Sequence, residues 1–167
     1  MRLLLELNDV DVSAKDKSGH TSLIWAARNG HGAVVRLLVE RNYVDVNLKD
    51  KSGRTSLIMI WVARNGHEAV VRVLLQRNAV DVNSKDKSDQ TLLIWAARNG
   101  HGPVVRVLLE QSDVNVNVKN KNGPTPLTWA IMNGHEAVMR LLQDNTNLDA
   151  KDNQCRTAGL QIARIQQ

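Results

Sequence analysis

Four histidines, His31, His67, His101 and His135, recur at intervals of 36, 34 and 34 residues. Imidazole can ligate a metal or move protons near neutral pH, so such a series raises both chemistries. Metal binding needs several donors converging on one point, often from neighbouring positions of one helix face. Here each period supplies one ring with no second His, Cys, Asp or Glu at helical spacing repeated beside it, which points to one structural imidazole per unit. Ser22 and Ser56 also recur, but no acid and base recur with them to form a nucleophile's constellation. The chain has no glycine-rich phosphate loop, no cysteine pair and no His-Glu-x-x-His. The residues therefore read as a non-enzyme with no metal and no cofactor.

The aromatic and cationic residues carry more. Trp25, Trp61, Trp95 and Trp129 recur with the histidines, and Arg28, Arg64 and Arg98 follow the first three at a spacing of three residues. On a helix that spacing brings a guanidinium over an indole, worth about 0.5–1 kcal/mol at an exposed site. Met132 takes the arginine's place in the fourth copy. Lys17, Lys51, Lys87 and Lys121 form a second periodic row. Two slots vary among otherwise near-identical copies: His20, Arg54, Gln90, Pro124 and Arg156 at one, Ala14, Leu48, Ser84, Val118 and Ala150 at the other. Trp and Arg are the side chains in which interface energy concentrates. The candidate partner-binding residues are thus the four tryptophans, Arg28, Arg64 and Arg98, the lysine row, and His20, Arg54 and Gln90.

The elements that position them repeat as well. Units starting at Lys15, Lys49, Lys85 and Lys119 run 15–48, 49–84, 85–118 and 119–150, flanked by partial units 1–14 and 151–167. Self-similarity at this period marks a stacked array whose units bury their apolar faces against one another. In each unit a Thr (Thr21, Thr55, Thr91, Thr125, Thr157) precedes an apolar run, the place of a helix N-cap. Leu23, Ala26 and Ala27 share one face of that first helix, at about 0°, 300° and 40°, while Trp25 at about 200° lies opposite. Asn-Gly ends the helix, with Gly30 suited to the left-handed conformation beyond a C-terminus.

A second helix then starts near His31 and carries the stripe Val34, Val35, Leu37 and Leu38. Pro103 falls in its first turn in the third unit, where a missing N–H costs least. A link such as 42–47 leads to a polar Lys-Asp-Lys-Ser-Gly turn, and Val44 and Val46 are expected to add brief extended pairing there. Asp89 replaces the tip glycine and tolerates positive φ. Met59 and Ile60 are an insertion of two residues, which within a helix would rotate the face by about 200°, so a bulged helix start or a longer turn is expected.

Asp16, Gly19, Thr21, Leu23, Ala26, Ala27, Gly30, His31, Val34, Val35, Leu37, Leu38, Asp45, Val46 and Asn47 stand in the order of the ankyrin repeat. The sequence resembles that family over essentially its whole length, and the near-identity of its copies is similar to ankyrin arrays of fungal and microbial multidomain proteins. The resemblance implies an all-α, right-handed helical repeat solenoid with short hairpin-like turns, forming one domain. It implies a scaffold that binds a protein or peptide through its concave helix face and protruding turns, with the repeated His bonding backbone near the turn. There are departures: the family's Pro is Ser22, Ser56 and Leu92 and appears only as Pro126, and its His after Leu is Ile24, Ile94 and Thr128. Both ends fall mid-unit without evident polar caps, so a piece of a longer array is expected, the alternative being a complete small protein capped by frayed half-units.

Composition fits thin helical layers. The chain of 167 residues is 43% hydrophobic but only 3% aromatic, with four Trp, one Tyr and no Phe. Lys and Arg total 22 against 17 acidic residues, a net +5. That balance favours an acidic partner and is too evenly spread to demand nucleic acid. A single Cys155 excludes an internal disulfide framework, and the N-terminus lacks the apolar core and cleavage site of a secretory leader. No stretch approaches a membrane span. The expectation is a soluble, monomeric, intracellular protein of the cytoplasm or nucleus. Its rival readings are a small-molecule or catalytic use of the tryptophan-lined groove and, behind it, nucleic-acid binding along the basic row.

Overall fold

The computed structural model describes residues 11–40, 62–76 and 81–145. Trp61, Lys51, Arg54, the Met59–Ile60 insertion, Val44 and Val46, most of the first half-unit and all of the last lie outside the described residues. Seven helices have both ends inside them: α1 (Ser22–Arg28), α2 (Gly32–Glu40), α3 (Glu68–Leu75), α4 (Leu92–Arg98), α5 (Gly102–Leu109), α6 (Pro126–Met132) and α7 (Glu136–Asn145). Residues 62–65 are also helical and precede α3 as α1 precedes α2.

Local chemistry sets where each helix starts and stops. Thr21, Thr91 and Thr125 hold extended backbone, and their hydroxyls accept the N–H of Ile24, Ile94 and Thr128, which the helix itself leaves unpaired. Asn29, Asn99 and Asn133 close the first helices, and their side-chain amides donate back to Trp25, Trp95 and Trp129 carbonyls at 2.8, 2.8 and 3.0 Å. The next residue, Gly30, Gly66, Gly100 or Gly134, turns the chain at φ between +69° and +75°. Pro103 sits in the first turn of α5, where no intrahelical N–H is lost. Asp89 takes the tip position at φ +56°, as its type permits.

Helix pairs stack into two layers. Within units, α1 packs on α2, α4 on α5 and α6 on α7; between units, α2, α3, α5 and α7 run neighbour to neighbour, as do α4 and α6. Leu23, Ala27, Ala97, Val35, Leu38 and Leu108 are at or within 1% of complete burial, so the assigned Leu/Ala face is the core face. Alanine at two of its three positions lets the helix axes approach closely. Ile24 and Ile94, which stand where the ankyrin pattern has His, are buried as apolar core residues. Val34 and Leu37 lie at the edge of the core and are partly buried.

The turns differ from expectation in one respect. No strand occurs among the described residues, and Val82 and Val116, the counterparts of Val46, lie in turns. Asparagine and aspartate side chains occupy the backbone donors that a strand ladder would use. Asp81 Oδ1 accepts the N–H of Asn83, and Asn83 in turn bonds the next link, donating to Asp113 O (2.7 Å) and accepting from Asn115 N (2.8 Å). Such local side-chain bonds offer the backbone an alternative to pairing.

Candidate functional site

The turns of the first and third units are each organised by one acidic side chain. Asp16 Oδ1 accepts the backbone N–H of Ser18 and His20, both at 2.8 Å, and its Oδ2 accepts the Trp25 indole N–H at 3.0 Å. Asp86 repeats the arrangement with Ser88, Gln90 and Trp95, the last at 3.1 Å. The turn and the tryptophan of its own unit are thereby tied together. The His20 backbone N–H, with the indole and the Ser18 N–H, holds the Asp16 carboxyl down at about 2, against the opposing effect of its partial burial. His20 adds an edge-on contact to Trp25 (5.5 Å between centroids) and places Nδ1 3.4 Å from Asp16 Oδ2.

The arginines stack as the three-residue spacing predicts, with the Arg28 guanidinium 5.1 Å from the Trp25 ring and that of Arg98 5.5 Å from Trp95. They also reach forward. Arg64 lies 5.6 Å from Trp95 and Arg98 4.4 Å from Trp129, each crossing to the next unit. Among the described residues Arg64, Trp95, Arg98 and Trp129 therefore alternate in a ladder across two boundaries. Trp25 is 43% exposed, and Trp95 and Trp129 are partly buried.

The repeated histidines bond backward in the same way. Nε2 of His67, His101 and His135 lies 3.0, 2.8 and 3.1 Å from the carbonyl oxygen of Arg28, Arg64 and Arg98 in the preceding unit. A carbonyl only accepts, so the proton must sit on Nε2. Asn65 and Asn133 add amide donors to the Arg28 and Arg98 carbonyls. A helix end unsatisfied in one unit is thus capped by the next. The rings press on the preceding glycine: a Cβ on Gly30, Gly66 or Gly100 would come within 2.6–2.7 Å of the imidazole. His67, His101 and His135, three of the four histidines anticipated as structural, are engaged with the backbone and the glycine of the preceding unit.

Lys17, Lys87 and Lys121 are exposed along the turn edge, and the Lys121 N–H donates to Ser88 O across two turns. Gln90 requires correction as a surface contact. It is only 6% exposed, tucked into the turn whose Asp86 bonds its backbone N–H, and Val118 at the second variable slot is buried as well. Variability at a slot does not make it exposed: the turn folded around Asp86 draws Gln90 inward.

The sequence reading missed the carboxylates that receive the indoles. The signal was present: Asp16 and Asp86 each stand nine residues before their Trp, while the fourth unit has Asn120 there. Asn120 Oδ1 accepts Asn122 N, Pro124 supplies no N–H, and the Trp129 indole N–H is buried without an acceptor. Among the described residues no three His, Cys, Asp or Glu side chains group as metal ligands, and no helix is long and apolar enough to cross a membrane.

Two-helix units that cap one another's ends and share one continuous core define a stacked helical repeat protein. The sequence matches the family described as ankyrin repeats (3 copies) over residues 1–86 and again over 59–154, and the chain belongs to the ankyrin-repeat family. No curated protein matches it. Ankyrin repeats are in general protein–protein interaction modules.

Proposed function

We propose that this chain is a non-catalytic binding module, working inside the cell in the cytoplasm or nucleus, that engages an acidic protein or peptide. Contact is made by the concave helix face that carries the Trp–Arg ladder and by the turns beside it. The observation that carries this reading is the crossing of Arg64 and Arg98 onto Trp95 and Trp129. It lines up the side-chain types that dominate binding energies as one preorganised row rather than as isolated rotamers. The exposed Lys17, Lys87 and Lys121 give the same edge a positive potential, which supports an acidic partner.

The test is capture of a partner from a cell extract on the tagged chain, followed by calorimetric titration of wild type and an Arg64→Glu/Arg98→Glu variant. Loss of two central anchors is expected to weaken binding at least about thirtyfold. The same change removes three stacking contacts, at a cost of about 1–3 kcal/mol, and helical circular dichroism monitors that cost separately. A folded variant that binds like wild type takes recognition away from this face and moves it to the turns at His20 and Pro124.

A further inference from the structure

Arg98 is held from both sides. Its guanidinium lies between the Trp95 ring at 5.5 Å and the Trp129 ring at 4.4 Å. Its backbone carbonyl is fixed by His135 and Asn133. Stacking occupies the faces of a guanidinium and leaves its in-plane donors free. Among the described residues those donors meet no acceptor, whereas Arg72, on the second-helix side, spends its own on Glu68 and Glu110. A planar fork whose orientation is already fixed is suited to two parallel bonds to one carboxylate.

On its Trp129 side Arg98 lacks the carboxylate that the turns of the first and third units contain. Asp16 and Asp86 place a carboxylate against the indole of their own unit, but Asn120 brings no charge and leaves the Trp129 N–H without an acceptor. Lys119 and Lys121 are exposed on either side of Asn120 in the chain. Met132, 52% exposed, stands one unit further along in the place Arg98 holds. The third and fourth units therefore offer two exposed lysines, a fixed fork at their boundary and, one helical turn beyond Trp129, an exposed apolar side chain.

We propose that this boundary is the docking point for an acidic partner segment, an Asp or Glu carboxylate seated in the Arg98 fork and an adjoining apolar side chain covering Met132. The assignment rests on the binding reading above and names its partner's chemistry. The probe is a short synthetic peptide of alternating Glu and Leu, titrated into the full chain by fluorescence anisotropy, with the Arg98 Nε–H resonance followed by NMR. Controls are the Gln–Leu peptide and a single-stranded oligonucleotide.

The Glu–Leu peptide is expected to bind and to shift the Arg98 resonance, and Arg98→Lys, which keeps the charge but not the fork, to weaken it about tenfold or more. Arg106→Gln, which removes an exposed charge from α5, is expected to leave binding unchanged. Asn120→Asp separates this site from mere scaffolding: it should raise the denaturation midpoint by giving the Trp129 N–H an acceptor, yet weaken the peptide several-fold by neutralising the boundary from within. Absence of peptide binding to wild type, equal binding of the Gln–Leu peptide, tighter binding of the oligonucleotide, or indifference to both Arg98→Lys and Asn120→Asp each overturns the assignment. Partner capture from extract, read on its own, then decides whether the broader binding reading survives.

Discussion

Asp16 shows what one side chain controls. Its carboxylate accepts two backbone N–H groups and an indole N–H, and its pKa is drawn from the ordinary 3.8 to about 2. A folded-state pKa below the unfolded value means that the ionised form is the one the fold favours. The stabilisation is accordingly complete above pH 3.8 and is lost as pH falls through about 2. The expected NMR titration places the Asp16 carboxyl midpoint near 2, with the Trp25 indole N–H resonance moving in the same step. Asp16→Asn should abolish that coupled step; an Asp16 midpoint at the ordinary carboxylate value would mean that the turn does not depend on this anion.

At the level of the helix, the buried face follows from periodicity and the exposed face does not. Ala27 and Ala97 are fully buried, so Ala27→Leu or Ala97→Leu should force the paired helices apart at a cost of about 1–3 kcal/mol. Urea denaturation of either variant measures this, and an unchanged midpoint in both would contradict the packing. The Thr caps, the glycine turns, Pro103 and the Leu/Ala stripe were legible because each is decided within a few residues of sequence. The forward reach of Arg64 and Arg98, the bonds from histidine to the preceding unit and the inward fold of Gln90 were not. The first two depend on how one unit seats on the next, more than thirty residues away, which no helical spacing encodes, and the third on the Asp86-centred turn drawing Gln90 inward. The indole acceptors fell between these cases: Asp16 and Asp86 were visible as a repeat, but their target lies across a turn.

For the whole stack, stability resides at the boundaries as much as within the units. His101 joins its unit to the preceding one through Arg64 O at 2.8 Å, and its ring fills the space above Gly66. His101→Ala should cost about 1–2 kcal/mol from the lost bond and packing. It should also uncouple the two sides, so that unfolding followed by circular dichroism and by tryptophan fluorescence no longer coincides and the apparent denaturant slope falls. Coincident transitions with the wild-type slope would show that the boundary is held by the apolar core alone. At the ends of the first helices the bonds from His67, His101 and His135 and from Asn65 and Asn133 share a direction, the later unit capping the earlier one. On the ribosome, a unit that has just emerged still has the carbonyls at the end of its first helix open to water. They stay open until the next thirty-odd residues have been translated, about 2–7 s at ordinary elongation rates. Each repeat of the nascent chain is therefore completed by its successor, one unit behind synthesis.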